Sequence, residues 1–190
     1  MTVRDIVYWP DKKLREQCED LSKDELESDA FLELVEDMYE TMNYYQGIGL
    51  SAPQIGLNKK LFIISGEVIP NCDRRFVIFA NPTIVDELGP TEAMLEGCLS
   101  FPNTFIPIQR HPEVLARCLD IVEDKVVSVD VHAKGLYAQA IQHEYDHLTG
   151  KLMVDYAGRL KKEMIKKRMK KFKERLREYI ERGDGKVPEV

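Results

Sequence analysis

The sequence predicts an α+β fold, a mainly antiparallel sheet around one central helix with a long helix at the C-terminal end. Three observations carry this. Helical patterns bracket the chain, at residues 28–43 and again from residue 134 onward. Between them lie short runs rich in β-branched and aromatic residues, bounded by Gly, Pro and Asn. These runs do not alternate regularly with helices, which argues against a parallel sheet.

Taken in order, Asp11 to Arg15 reads as a short helix after Pro10, and Ser28 as the cap of a longer one reaching about Asn43. Phe31, Leu34, Val35, Met38 and Met42 give that helix an apolar face. Gly47 and Gly49 end it and begin a loop. Strands are expected at Leu61 to Ile64 and at Phe76 to Phe79, the second stopped by Asn81-Pro82. Further strands are expected at Thr83 to Asp86, Met94 to Leu99, Phe105 to Gln109, Val114 to Cys118 and Val126 to Val131. A helix from Lys134 to His147 closes at Thr149-Gly150, and the last runs from Arg159 to Glu181.

The 190 residues suit one domain with a sizeable core. Residues 1–158 read as its body, 159–182 as a basic amphipathic helix of the same domain, and 183–190 as a flexible tail. No apolar run approaches the roughly 18 residues of a membrane span. The opening Met1-Thr2-Val3-Arg4-Asp5 carries neither a secretory nor a transit pattern, so a cytoplasmic protein is expected. Cys18, Cys72, Cys98 and Cys118 are irregularly spaced and read as thiols. The net charge of −6 hides a basic stretch, because Arg159 to Arg182 holds 12 Lys and Arg against four Glu. Leu160, Met164, Ile165, Met169, Phe172, Leu176 and Tyr179 recur there every three or four residues. That pattern suits a helix packed on the body with a solvated basic face, or an element that binds ribosomal RNA.

The strongest chemical signal is His143-Glu144-Tyr145-Asp146-His147. Two His four apart project from one helix face and can share a cation, while Glu144 can act on a metal-bound water as general acid/base. Such a site needs a third protein ligand. No His follows His147, and neither His111 nor His132 carries a supporting pattern. Cys98, in Glu96-Gly97-Cys98-Leu99-Ser100, is the better candidate. A Cys/His₂ set suits zinc, ferrous iron, nickel or cobalt. Gln54, in a Gly- and Pro-shaped segment, could meet a developing oxyanion.

Three segments together resemble the peptide deformylase family: Gly47 to Gly56, Glu96 to Ser100 and Gln142 to Leu148. The resemblance covers about residues 3 to 175. It implies hydrolytic removal of the N-formyl group from the N-terminal formylmethionine of new proteins. It also implies one divalent ion per chain on Cys98, His143 and His147, with Fe2+ physiological and Zn2+, Ni2+ or Co2+ able to replace it. Glu144 would be the acid/base, and Gln54 with the Leu99 backbone N–H the oxyanion donors. The Gly49 backbone would align the peptide, beside Gly97. Ile48, Leu50, Leu136 and Ala140 are candidate walls for the methionine. Two positions depart from the family. Phe105 stands where many members carry a peptide-holding Arg, leaving Arg110 as the nearest base, and Gln139 is polar where an apolar residue is common. Competing classes are an endopeptidase, a non-catalytic Cys/His₂ module and an RNA-binding chain. The intact Glu144 and Gln54 weigh against the module, and the Cys98 segment against the endopeptidase.

Overall fold

The computed structural model describes residues 2–123 and 125–182. The expected α+β architecture is present. Ser22 and Glu25 form a reciprocal capping box that starts the single turn α1 (Lys23–Leu26), which the sequence reading missed. Ser28 caps α2 (Asp29–Tyr44) by accepting from the Phe31 N–H. Of its expected apolar face, Phe31, Val35, Met38 and Met42 are buried and Leu34 only partly so.

Strands β1 (Gly49–Ser51), β2 (Leu61–Ser65), β3 (Phe76–Leu88), β6 (Glu113–Val122) and β7 (Lys125–Lys134) form one antiparallel sheet in the order β1-β2-β3-β6-β7. Strands β4 (Glu92–Gly97) and β5 (Phe105–Arg110) make a separate hairpin. Two expectations are corrected here. Gly49 begins a strand and not a loop, followed by a 3-10 turn over Ala52–Ile55. Asn81-Pro82 does not stop β3, because the register shifts between Ala80 and Thr83 and absorbs the proline. Asn81 takes the left-handed conformation at φ 47°, and its side-chain amide pairs with both the N–H and the carbonyl of Leu21 at 2.8 Å.

β2 is buried on both faces, which explains its unbroken apolar run. Leu61 and Ile63 pack toward α2, while Phe62 and Ile64 join Phe79, Val114 and Ala116 under α3 (Leu136–Leu148). α3 starts two residues later than expected. Gly135 caps it at φ 58°, ψ −131°, a conformation open to glycine, and the chain before it is still strand. A third cluster joins Phe101, Ile106, Ile108 and Leu152 to Ile165, Met169 and Phe172 of α4 (Arg159–Arg182). α4 therefore packs on the body. Leu160 and Met164, expected in its apolar stripe, are 84% and 63% exposed. The expected flexible tail, 183–190, lies outside the described residues. No helix among the described residues is long and apolar enough to cross a membrane.

Candidate metal centre and its cleft

α3 carries His143 and His147 one turn apart, and β4 delivers Cys98 immediately beyond its last residue. One donor atom from each of the three lies within 4.8 Å of the others. Cys98 Sγ is 3.3 Å from His147 Nε2. Metal–sulfur and metal–nitrogen bonds of about 2.3 and 2.0 Å at a tetrahedral angle would give a separation of about 3.5 Å. The donor set therefore fits one divalent cation. Two further observations agree. His143 Nδ1 is held by Glu96 Oε2 at 2.8 Å, which frees its other nitrogen for a ligand bond. The imidazoles are also pushed apart electrically. Burial opposes charge on His143, but Cys98 and Glu96 raise its pKa well above the ordinary value. Burial, His143 and Arg110 hold His147 well below it. A cation among the three donors would take the place of protons on them.

Glu144 is 4% exposed, and its Oε2 has no hydrogen-bond partner among the described residues. Burial raises its pKa to about 7. Gly49 lies against it, and a Cβ there would stand 2.7 Å from Glu144 Oε1, so any larger residue would displace the Glu144 carboxylate. Gln54 is fixed from behind. Its carbonyl accepts from the Ser51 N–H and hydroxyl, both at 2.9 Å, which turns Nε2 toward Cys98 Sγ at 3.5 Å.

These groups open into one cleft of about 1200 Å³. Its lining includes Gln54, Cys98, Leu99, His143 and Glu144, together with Ile48, Gly49, Gly97, Leu136 and Ala140. Leu50 is corrected. It is fully buried in the cluster under α2, because in strand β1 it points to the opposite face from Gly49. Phe105 lies in the cleft at 59% exposure, its ring covering Gly97, where a Cβ would approach to 2.6 Å. Arg110 is not a free base at the cleft. It is 5% exposed and bonded to Glu96 and Asp146. Gln139 lines the cleft and donates to the Leu95 carbonyl at 3.1 Å. His111 and His132 are elsewhere, bonded to the Gly89 carbonyl and to Glu113.

Sequence reasoning missed Glu96 and Ser51 as supports, and Tyr44, Tyr45 and Tyr179 in the lining. Glu96 was detectable, standing two residues before Cys98 beside a glycine. The tyrosines come from separate parts of the chain that only the fold brings together.

The sequence profile of the family described as polypeptide deformylase matches residues 3–163. "Peptide deformylase 2" of Xanthomonas axonopodis pv. citri is 37% identical over 171 residues, covering 90% of this chain and 96% of that protein. The peptide deformylase of Elusimicrobium minutum is 38% identical, covering 90% and 97%. Among solved structures, a peptide deformylase from Legionella pneumophila superposes with a TM-score of 0.81 at 33% identity, covering 91% of this chain and 96% of its own. One from Ehrlichia chaffeensis in complex with actinonin gives 0.81 at 32% identity, covering 90% and 98%.

Proposed function

Since the chain belongs to the polypeptide deformylase family, we propose that it hydrolyses the N-formyl group from formylmethionine at the start of newly made proteins. The observation that carries this reading is the buried Glu144 carboxylate, its Oε2 without a hydrogen-bond partner among the described residues, in the same cleft as Cys98 and His143. A divalent cation held by Cys98, His143 and His147 supplies Lewis-acid polarisation of the formyl carbonyl and activation of water. Ferrous iron is the proposed physiological ion, and the soft Cys/His₂ set also suits zinc, nickel or cobalt.

The chain's own groups do the rest. Glu144 accepts the proton of the attacking water and returns it to the departing amine, and a pKa near 7 suits both transfers. Gln54 Nε2 and the Leu99 backbone N–H are assigned to the developing oxyanion. Gln54 suits this role because Ser51 fixes its amide in advance. Ile48, Leu136, Ala140 and Gly97 are assigned to the methionine, and the Gly49 backbone to the peptide. Formate and a free α-amine leave. Residues 1–158 are assigned as the catalytic body and 159–182 as a helix of the same domain. The working compartment is the cytoplasm. The exposed lysines of α4 make ribosomal RNA the proposed docking partner.

The test is an anaerobic assay with metal analysis, comparing formylated and unformylated Met-Ala. Formate should appear only from the first. Glu144→Gln should keep its metal and lose about 10²–10⁴-fold in rate. Cleavage inside unformylated peptides without formate release would make the chain an endopeptidase instead.

A further inference from the structure

The cleft is larger than a formylmethionyl group requires. Its 1200 Å³ exceeds the roughly 300–1,000 Å³ of pockets that enclose a drug-sized ligand. The inner part holds the cation donors and Glu144. The outer part is built from Tyr44 and Tyr45 at the end of α2, Leu95 and Phe105 on the hairpin, and Tyr179 of α4. Tyr44, Leu95 and Phe105 are 52%, 68% and 59% exposed. Large apolar groups left in water around the mouth of a cleft mark a binding surface. The exposed polar residues lining this rim, Gln46 and Asn103, are uncharged, and Arg168 stands beside Asn103.

α4 is tied to that rim at successive turns of one face. Arg168 donates to the Asn103 carbonyl. Phe172 packs edge-on against the Tyr8 ring, with centroids 4.7 Å apart. Leu176 joins the cluster beneath, and Tyr179 follows at the cleft. Tyr8 and Asn103 themselves line the cavity. The helix is thus positioned against the cleft wall as well as against the core.

Resting on the deformylase reading, we propose that the last turns of α4 form the outer wall of the peptide cleft. Tyr179, with Phe105 and Leu95, determines specificity there for residues downstream of the formylmethionine. The occupant is the substrate's own chain, because inner and outer parts are one continuous cavity. An extended peptide advances about 3.3 Å per residue, so three residues span about 10 Å of rim. Although Arg168 borders the rim, the side chains that line it are Leu95, Phe105 and the tyrosines, and contact with them favours apolar and aromatic side chains at those positions over acidic ones.

The test compares kcat/KM of the metal-loaded full chain on formyl-Met-Ala, formyl-Met-Ala-Phe-Leu and formyl-Met-Ala-Glu-Asp. The apolar tetrapeptide should be preferred to both others, through KM. Tyr179→Ala should cut that preference by about fivefold, the scale of a single aromatic pair, and Tyr179→Phe should retain it. Phe105→Ala should act in the same direction. An undiminished preference in Tyr179→Ala, or better turnover of the acidic tetrapeptide, would overturn the inference while leaving the deformylase reading intact. Formate released from none of the three would overturn both.

Discussion

Glu96 Oε2 lies 2.8 Å from His143 Nδ1, and Arg110 grips the same carboxylate through Nε and Nη2 at 2.7 and 3.1 Å. Arg110 Nη1 continues to Asp146 at 2.7 Å and to the Tyr156 hydroxyl at 2.8 Å, and that hydroxyl donates to Asp146 at 2.5 Å. Burial disfavours charge on Glu96, yet His143 and Arg110 hold its pKa down to about 2. The network joins the hairpin, α3 and the 3-10 turn at Met153–Tyr156, and it fixes the ring of one proposed ligand.

Arg110→Met should therefore act on both stability and cation binding. It removes the guanidinium that faces the buried Glu96 carboxylate, at a cost of about 3–5 kcal/mol. Loss of the support behind a ligand His typically weakens metal affinity about 10–100-fold. Glu96→Gln, nearly the same shape, should weaken the affinity with less loss of stability. Thermal melting and titration of Co2+ against a competing chelator measure the two effects. Native-like Co2+ affinity in both variants would remove Glu96 and Arg110 from the support of the centre.

Cys98 should be the thiol whose reactivity reports the cation. Cys18 and Cys118 are buried, and burial pushes their thiols up to about 11 and about 12, so neither offers a thiolate near neutral pH. Cys98 is half-buried and opens to the cleft. A metal-loaded chain treated with iodoacetamide should leave Cys98 unmodified, and chelation should expose it to labelling, read by peptide mass mapping. Cys98→Ala should lose the tight, stoichiometric ion, because two imidazoles rarely hold a catalytic ion alone. Cys98→Asp should keep a cation with altered reactivity. Full, tight metal in Cys98→Ala would mean that the third ligand lies elsewhere.

The shared face of His143 and His147 was legible because helical geometry fixes it locally. Residues four apart share a face whatever surrounds them, so His143 and His147 needed no knowledge of the fold. Asn81-Pro82 misled because its partner is the backbone of Leu21, far away in the chain. What occupies Arg110 was not legible for a similar reason, since its partners come from β4, α3 and the turn after it. Leu50 was misplaced by reading β1 as loop. The two-residue period of a strand assigns Gly49 and Leu50 to opposite faces, but a three-residue strand gives that period too little sequence to be recognised.

Docking of α4 on ribosomal RNA is best tested without truncation. Cutting near Phe172 would remove a partner of Tyr8 and also Tyr179 from the cleft, so weaker ribosome binding and weaker substrate grip would be confounded. Lys166, Lys167, Lys170 and Lys171 are exposed, whereas the packing face uses Ile165, Met169 and Phe172. Changing the four lysines to Gln should leave turnover of formyl-Met-Ala near normal. Ribosome binding should weaken, and the slope of log K against log salt should shrink by roughly 0.7–0.9 for each phosphate no longer neutralised. Ile165→Ala provides the contrast, costing about 2–5 kcal/mol of stability from the core while leaving every cation in place. Sedimentation with ribosomes at low and moderate salt measures the binding. If the four-Gln chain binds ribosomes as tightly as the intact chain at low salt, α4 serves packing and the cleft, and the basic face is solvated surface.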